Sequence, residues 1–191
     1  MLLQGAGQAL CVWQQRTEAI YFLDVGQGDG ILIRSPDGGS TSQSKCGTYT
    51  LLPALRSQGM TEIDCWFVTH TDEDHISGLK ELLLQGKLTQ IKVRTVVFSA
   101  YVFQDAALAE LEAVIRAAGI TIVWMREGDV IGDDTFTLTC LHPTAEYRAK
   151  DKNAASLALA YHSDTFDMLF TGDMDADAVA DMDIQQDYDC I

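Results

Sequence analysis

A chain of 191 residues with 47% apolar side chains and three Pro is long enough to bury the core of one domain, and its composition excludes disorder. Lys and Arg number 13 against 28 Asp and Glu, a formal charge of −15, which argues against a static nucleic-acid binder with its basic stripe but does not exclude an enzyme that meets phosphates through bound metal ions. Five Cys, odd in number and without a CxxC pair, argue against a disulfide framework or zinc ribbon and read as free, mostly buried thiols in a reducing compartment.

Along the chain, residues 18–24 and 29–35 are short apolar runs on either side of Val25-Gly26-Gln27-Gly28, the pattern of two strands in a hairpin. No GxxxxGK[ST] follows, so the Gly-rich turn is a poor candidate for a phosphate loop. Residues 36–48 are polar and turn-rich. Leu51, Leu52, Leu55 and Met60 then sketch a short helix, with Gly59 as its C-cap. Residues 63–69 read as a buried strand. Ile76, Leu79, Leu82, Leu83 and Leu84 form a helical stripe that stops near Gly86, and residues 91–99 form the next strand. Residues 104–118 carry the clearest amphipathic pattern. Strands follow at 120–124, 135–141, 155–161 and 166–171. Residues 164–191 contain nine Asp and no Lys or Arg, which predicts a solvated, frayed tail. There is no internal repeat. The predicted organisation is an N-terminal extension or strand over 1–17, one domain over 18–175 and an acidic tail over 176–191, with mixed α/β layers and at least one sheet covered by helices.

The most informative stretch is His70-Thr71-Asp72-Glu73-Asp74-His75, directly after the strand at 63–69. Like charges about 4 Å apart repel by roughly 4 kcal/mol at a protein surface. Such a cluster is tolerable when solvated, partly protonated, or holding a cation between its ligands. Its place at the carboxyl end of a strand is where α/β sites are built. Among the other His, His142 before Pro143 reads as structural and His162 as a solvated turn residue. Trp13, Trp66 and Trp124 read as core residues, not base-stacking platforms.

Three motifs occur in order: Phe22-Leu23-Asp24-Val25-Gly26-Gln27-Gly28-Asp29, then Thr69-His70-Thr71-Asp72-Glu73-Asp74-His75-Ile76-Ser77-Gly78, then Thr171-Gly172-Asp173. Together they resemble the metallo-β-lactamase-fold domain of ComEC-type proteins, which take up DNA in competent bacteria. The wider superfamily carries HxHxDH, whereas this subgroup has Asp at the second His, as Asp72 does here. The resemblance implies an αββα sandwich with two divalent metal ions at one edge of its sheets, and hydrolysis of a phosphodiester, with DNA as a transient substrate. It places His70, Asp72, Asp74, His75 and Asp173 as metal ligands, with Asp173 bridging. Asp74 is either a ligand or the base that orients water, and Asp72 shares the catalytic role. The resemblance also gives Asn153 and Ser156 a site-shaping place. Asp24, Gln27 and Asp29 match the opening motif, as support for the loop floor or as direct participants. Asp in place of His shifts metal preference toward Mn²⁺ or Mg²⁺, with Zn²⁺ still compatible. Glu73 points outward or favours the start of the following helix. Asp175 and Asp177 read as a charged loop.

Two departures from the family pattern are expected to leave the sandwich incomplete. A third strand after the second appears deleted, with Asp37 belonging to either of two fused turns, and the family's later His-bearing segment has no counterpart before residue 191. These departures make an impaired or non-catalytic domain an alternative reading, and a small-ester or thioester hydrolase a third. No apolar stretch reaches the roughly 20 residues of a membrane span, and Met1 to Gly5 lack a signal peptide's basic start. A stand-alone enzyme would be cytoplasmic. A domain of a larger ComEC-like membrane protein would lie on the extracellular face.

Overall fold

A computed structural model of the chain describes residues 18–24, 30–35, 40–43, 47–85, 90–182, 184 and 187–191. The two apolar runs around the first Gly-rich turn pair as antiparallel strands, β1 (Ala19–Phe22) and β2 (Ile31–Arg34), with Ala19 opposite Arg34 and Phe22 opposite Ile31. A third strand, β3 (Ser40–Gln43), corrects the expectation that this strand is deleted. It pairs antiparallel with β2, Ile31 opposite Gln43, and parallel with the next strand, Thr41 opposite Cys65. Its sequence, Ser-Thr-Ser-Gln, contains no apolar residue, so periodicity cannot mark it; backbone pairing with neighbours on both sides makes the strand.

A π-helical turn, Gly47–Leu51, leads into α1 (Leu52–Ser57), which ends where Gly59 takes the left-handed φ of +67°. The chain then alternates between parallel strands and helices: β4 (Glu62–Val68), α2 (Glu73–Leu84), β5 (Lys92–Ser99), α3 (Ala106–Ala117) and β6 (Thr121–Met125). Leu108, Leu111 and Ile115 form the buried stripe of α3, and Asp105 caps its start by accepting from the Leu108 N–H at 2.8 Å. The sheet runs β1-β2-β3-β4-β5-β6.

A second, antiparallel sheet has the order β10-β9-β8-β7, from β7 (Val130–Gly132), β8 (Phe136–His142), β9 (Ala158–Ser163) and β10 (Asp167–Phe170). β7 has no counterpart among the predicted strands, being three residues long. β9 starts at Ala158, three residues later than expected, because the segment from Asn153 to Ser156 turns instead, Ser156 N–H donating to the Asn153 carbonyl at 3.0 Å.

Period-two alternation decides how the layers stack. Trp66 and Val68 of β4, with Val96 and Phe98 of β5, pack toward the helices in one core that includes Ile76, Leu79, Leu111 and Ile115. Phe67 and Val97, pointing the other way, join Phe136, Leu138, Leu159, Tyr161 and Met168 in a second core between the sheets. Each such fully buried apolar side chain stabilises by roughly 1.5–3 kcal/mol. On the outer face of the second sheet, Ala158 and Leu169 pack with Met182, just past α4 (Ala176–Asp181). The layers are therefore α, β, β and α.

The expectation of a frayed tail is corrected here. Ala178 and Met182 are buried, and the backbone at Cys190 bridges Met168, Leu169 N–H donating to the Cys190 carbonyl at 3.0 Å. Two apolar residues among the Asp suffice to dock the segment, which charge counting alone overlooks. Trp66 is fully buried and Trp124 packs at the edge of the first core, stacked on Phe98, whereas Trp13 lies outside the described residues. Cys65 and Cys140 are free thiols, pushed up by burial to about 11 and about 12, and Cys190 is free and exposed. Among the described residues, no helix is long and apolar enough to cross a membrane.

Candidate metal centre

Thr69, His70, Thr71 and Asp72 connect the carboxyl end of β4 to α2. Asp72 is the N-cap, extended at φ −70° and ψ 145°, and its carbonyl accepts from the N–H groups of His75 at 2.9 Å and Ile76 at 3.2 Å. That geometry turns His75 into the first turn of α2, on the buried face it shares with Ile76 and Leu79. His70 and His75 are both fully buried, with ring centroids 4.0 Å apart.

One hydroxyl orients both rings. Thr69 Oγ1 lies 3.2 Å from His70 Nδ1 and 3.4 Å from His75 Nδ1, and Ser156 Oγ lies 3.3 Å from His70 Nδ1. A hydroxyl oxygen has two acceptor lone pairs, so Thr69 can accept an N–H from each ring. Both Nε2 atoms are then left as lone-pair donors facing the opposite way. In the structure both are buried without a hydrogen-bond partner. His75 Nε2 is 3.3 Å from Asp173 Oδ2, and His70 Nε2 is 3.7 Å from Asp72 Oδ2.

Asp173 arrives from the second sheet, after β10. Gly172 adopts a left-handed φ of +55°, and a Cβ there would lie 3.2 Å from the Thr69 side chain and 3.3 Å from Ser156 Cβ. A glycine is therefore required where the Asp173 turn passes against Thr69. The connection between β8 and β9 is tied to the same place, Leu157 N–H donating to the Thr69 carbonyl at 2.9 Å.

His70, His75 and Asp173 each offer one ligand atom, and these atoms all lie within 4.8 Å of one another. Orphaned buried ring nitrogens facing carboxylates are costly unless a cation lies between them. Two imidazole nitrogens and a carboxylate oxygen are also a donor set that suits a divalent metal. The residues fit the ion that the motif implies. Burial, followed by repulsion from His75, pushes the His70 pKa below its ordinary value, although Asp173, Asp72 and Asp74 pull it up. A neutral imidazole is the form that binds metal.

The other predicted residues divide. Asp72 stands beside the cluster, its Oδ1 3.1 Å from Lys152 Nζ. Asp74, half-buried in the first turn of α2, is not gathered into the three-residue group, and acts on His70 through its charge. Ser156 is fully buried and touches His70, whereas Asn153 is exposed and contributes its carbonyl to the turn. Asp24 is exposed just beyond β1; Gln27 and Asp29 lie outside the described residues. Glu73 points outward and pairs with Lys80 at 3.3 Å. Asp175 and Asp177, expected in a charged loop, instead cap α4 and lie in its first turn, respectively, because an acidic side chain favours a helix start; both pair with Lys150, Asp177 at 3.8 Å.

His142 is buried at the end of β8, with Nδ1 3.0 Å from the Ser156 carbonyl and its ring edge-on to Tyr147. Its Nε2 is also buried without a hydrogen-bond partner, but His142 is not in the group of His70, His75 and Asp173, in keeping with the structural role expected of it. His162 is exposed as expected, but it belongs to β9, not to a turn, and pairs with Asp167.

Four residues of the site had no assigned role from the sequence: Thr69, Thr71, Asp105 and Lys152. Thr71 Oγ1 donates to Asp105 Oδ2 at 3.2 Å, and Lys152 Nζ lies 2.9 Å from the same oxygen. Thr69 directly precedes His70 and could have been suspected. Asp105 and Lys152 are 33 and 80 residues beyond Asp72 and meet it only through the fold.

The stacked sheets, the helices on both outer faces and the cluster at the strand ends make this a metallo-β-lactamase fold. A metallo-β-lactamase from Staphylococcus aureus subsp. aureus COL superposes with a TM-score of 0.52 at 14% identity, covering 83% of this chain and 44% of that one. CmlA from Streptomyces venezuelae, a diiron β-hydroxylase, gives 0.50 at 14% identity over 81% of this chain and 29% of its own. In sequence, the chain is 29% identical to ComE operon protein 3 of Bacillus subtilis (strain 168) over 173 residues, covering 80% of this chain. It spans 22% of that curated relative's length. No family model matches the chain. A hydroxylase and a metallo-β-lactamase on one fold mean that function has to be argued from the site.

Proposed function

We propose that this domain is a metal-dependent hydrolase acting on phosphodiesters, with DNA as its transient substrate in a ComEC-type uptake process. The observation that carries this reading is the convergence of two orphaned, buried Nε2 atoms on the Asp173 carboxylate. His70, His75 and Asp173 would hold a divalent ion. When bound, such an ion supplies positive charge that polarises a phosphoryl oxygen and acidifies a water molecule. Thr69 and Ser156 hold His70 through Nδ1, and Thr69 holds His75 the same way, which fixes the donating face of each ring. Asp72 and Asp74 supply further carboxylate at the start of α2, where a base can orient water. A chain of net charge −15 repels DNA at long range, so contact with a phosphate depends on local positive charge.

As part of a protein of the length of ComE operon protein 3, the domain would face the outside of the membrane; alone, it would work in the cytoplasm. The 29% identity to that relative and the phosphate chemistry of a His and carboxylate site support DNA over a small ester. The test is cleavage of single- and double-stranded DNA with Mn²⁺, Mg²⁺ and Zn²⁺, beside a panel of small esters and thioesters. Metal-dependent cleavage of DNA, lost in His75→Ala and Asp173→Ala, is the expected result. Silence in all three metals would overturn hydrolysis, and turnover of esters alone would overturn the substrate.

A further inference from the structure

Asp72 and Asp105 occupy equivalent places in the first sheet: each is the N-cap of the helix that follows a parallel strand, Asp72 after β4 and Asp105 after β5. Two such carboxylates on adjacent loops repel unless a cation joins them. The cation is Lys152, from the opposite sheet, with Nζ 3.1 Å from Asp72 Oδ1 and 2.9 Å from Asp105 Oδ2.

Its neighbours hold it in place. Asp105 is committed by the Leu108 N–H on one oxygen and by Thr71 on the other. The segment carrying Lys152 is anchored on both sides, by Asp151 accepting from the Ala154 N–H at 2.8 Å and by Leu157 donating to Thr69. Asp72 thus turns one oxygen toward His70 Nε2 and the other toward an ammonium. A second divalent ion on Asp72 would have to share that carboxylate with a fixed positive charge.

We infer that Lys152 is a built-in second cation, a positioning residue that holds the outer oxygen of Asp72 and limits the centre to one divalent ion. The inference rests on the His70, His75 and Asp173 cluster being a metal site. It departs from the paired ions that the sequence motif implies.

The test is metal stoichiometry of the full chain, by calorimetric titration with Mn²⁺ and with Zn²⁺ and by elemental analysis after desalting. The wild type should bind one equivalent, Lys152→Arg should also bind one, and Lys152→Met should rise to two. Two equivalents on the wild type would overturn the inference while leaving the hydrolase reading intact, as would a folded Lys152→Met that still binds one. No binding by the wild type would overturn both. Should Lys152→Met fail to fold, electron paramagnetic resonance of the Mn²⁺-loaded wild type decides. An isolated-ion six-line signal is expected, and a spin-coupled pair signal overturns it.

Discussion

His70 and His75 lie five residues apart at the end of one parallel strand, and both are fully buried. Asp173, Ser156 and Lys152 reach the same point from the antiparallel sheet, through two separate connections, and Asp173 keeps 41% of its side chain exposed. One wall of the centre is thus part of the hydrophobic framework, and the other is delivered to it. The difference teaches that equal ligands need not be equal members of the fold. A ligand inside the core is tied to stability, whereas one on a turn is tied to binding alone.

The largest effects should come from removing a ligand from each wall. His75→Ala and Asp173→Ala should both weaken metal binding beyond the roughly 100-fold typical of losing an outer contact. Their stabilities without metal should separate. His75→Ala leaves a void in buried surroundings and should cost about 1–3 kcal/mol, whereas Asp173→Ala should stay within about 0.5 kcal/mol of wild type. Chemical denaturation of the metal-free proteins checks this, and equal losses would erase the distinction between the walls.

Gly172→Ala tests the seam itself. The left-handed φ and the close approach to Thr69 and Ser156 predict a loss of about 1–3 kcal/mol, with metal affinity falling because Asp173 is displaced. An unchanged melting temperature would mean that the two walls do not meet there. Thr69→Val should be milder for folding but should cost about 10-fold to 100-fold in metal affinity, since it releases Nδ1 of His75 and leaves that of His70 on Ser156 alone. Ser156→Ala, which leaves both rings on Thr69, should lose less than Thr69→Val when the two are titrated side by side.

The smallest expected effect is on pH. Burial holds both His70 and His142 below their ordinary pKa, so each is held neutral in the folded chain. The unfolded chain then binds more protons in the window between the lowered values and the ordinary value near 6.5. The stability they contribute is full above that ordinary value and is lost as pH falls through the window, by at most about 1.4 kcal/mol per pH unit for each His. Melting of the metal-free protein from pH 7.5 to 5.5 should show the decline, and His142→Gln should flatten part of it. A stability that rose on acidification would contradict the burial of these rings in neutral form.

Residues 63–76 declared their strand, their loop and two candidate ligands, because apolar periodicity and a dense His and Asp cluster are local signals. The amphipathic helix α3 was legible for the same reason, but Asp105, read inside a helix over 104–118, is shown by the structure to be its cap. β3 was not legible, since Ser-Thr-Ser-Gln is a strand only because neighbours pair with it on both sides. Nor was the docking of α4, where Ala178 and Met182 outweigh the surrounding Asp once a sheet face is there to receive them.

By itself, the chain's order of residues determined the strands and helices around residues 63–118 and the His and Asp loop of the candidate site. These follow from interactions within a few turns or strands of sequence. The tertiary structure decided that Thr69 serves two rings, that Gly172 lets Asp173 approach them, and that Lys152 stands between Asp72 and Asp105. Hydrogen bonds and ion pairs are short-ranged, so contacts across 80 or 100 residues exist only after both sheets have closed on their shared core.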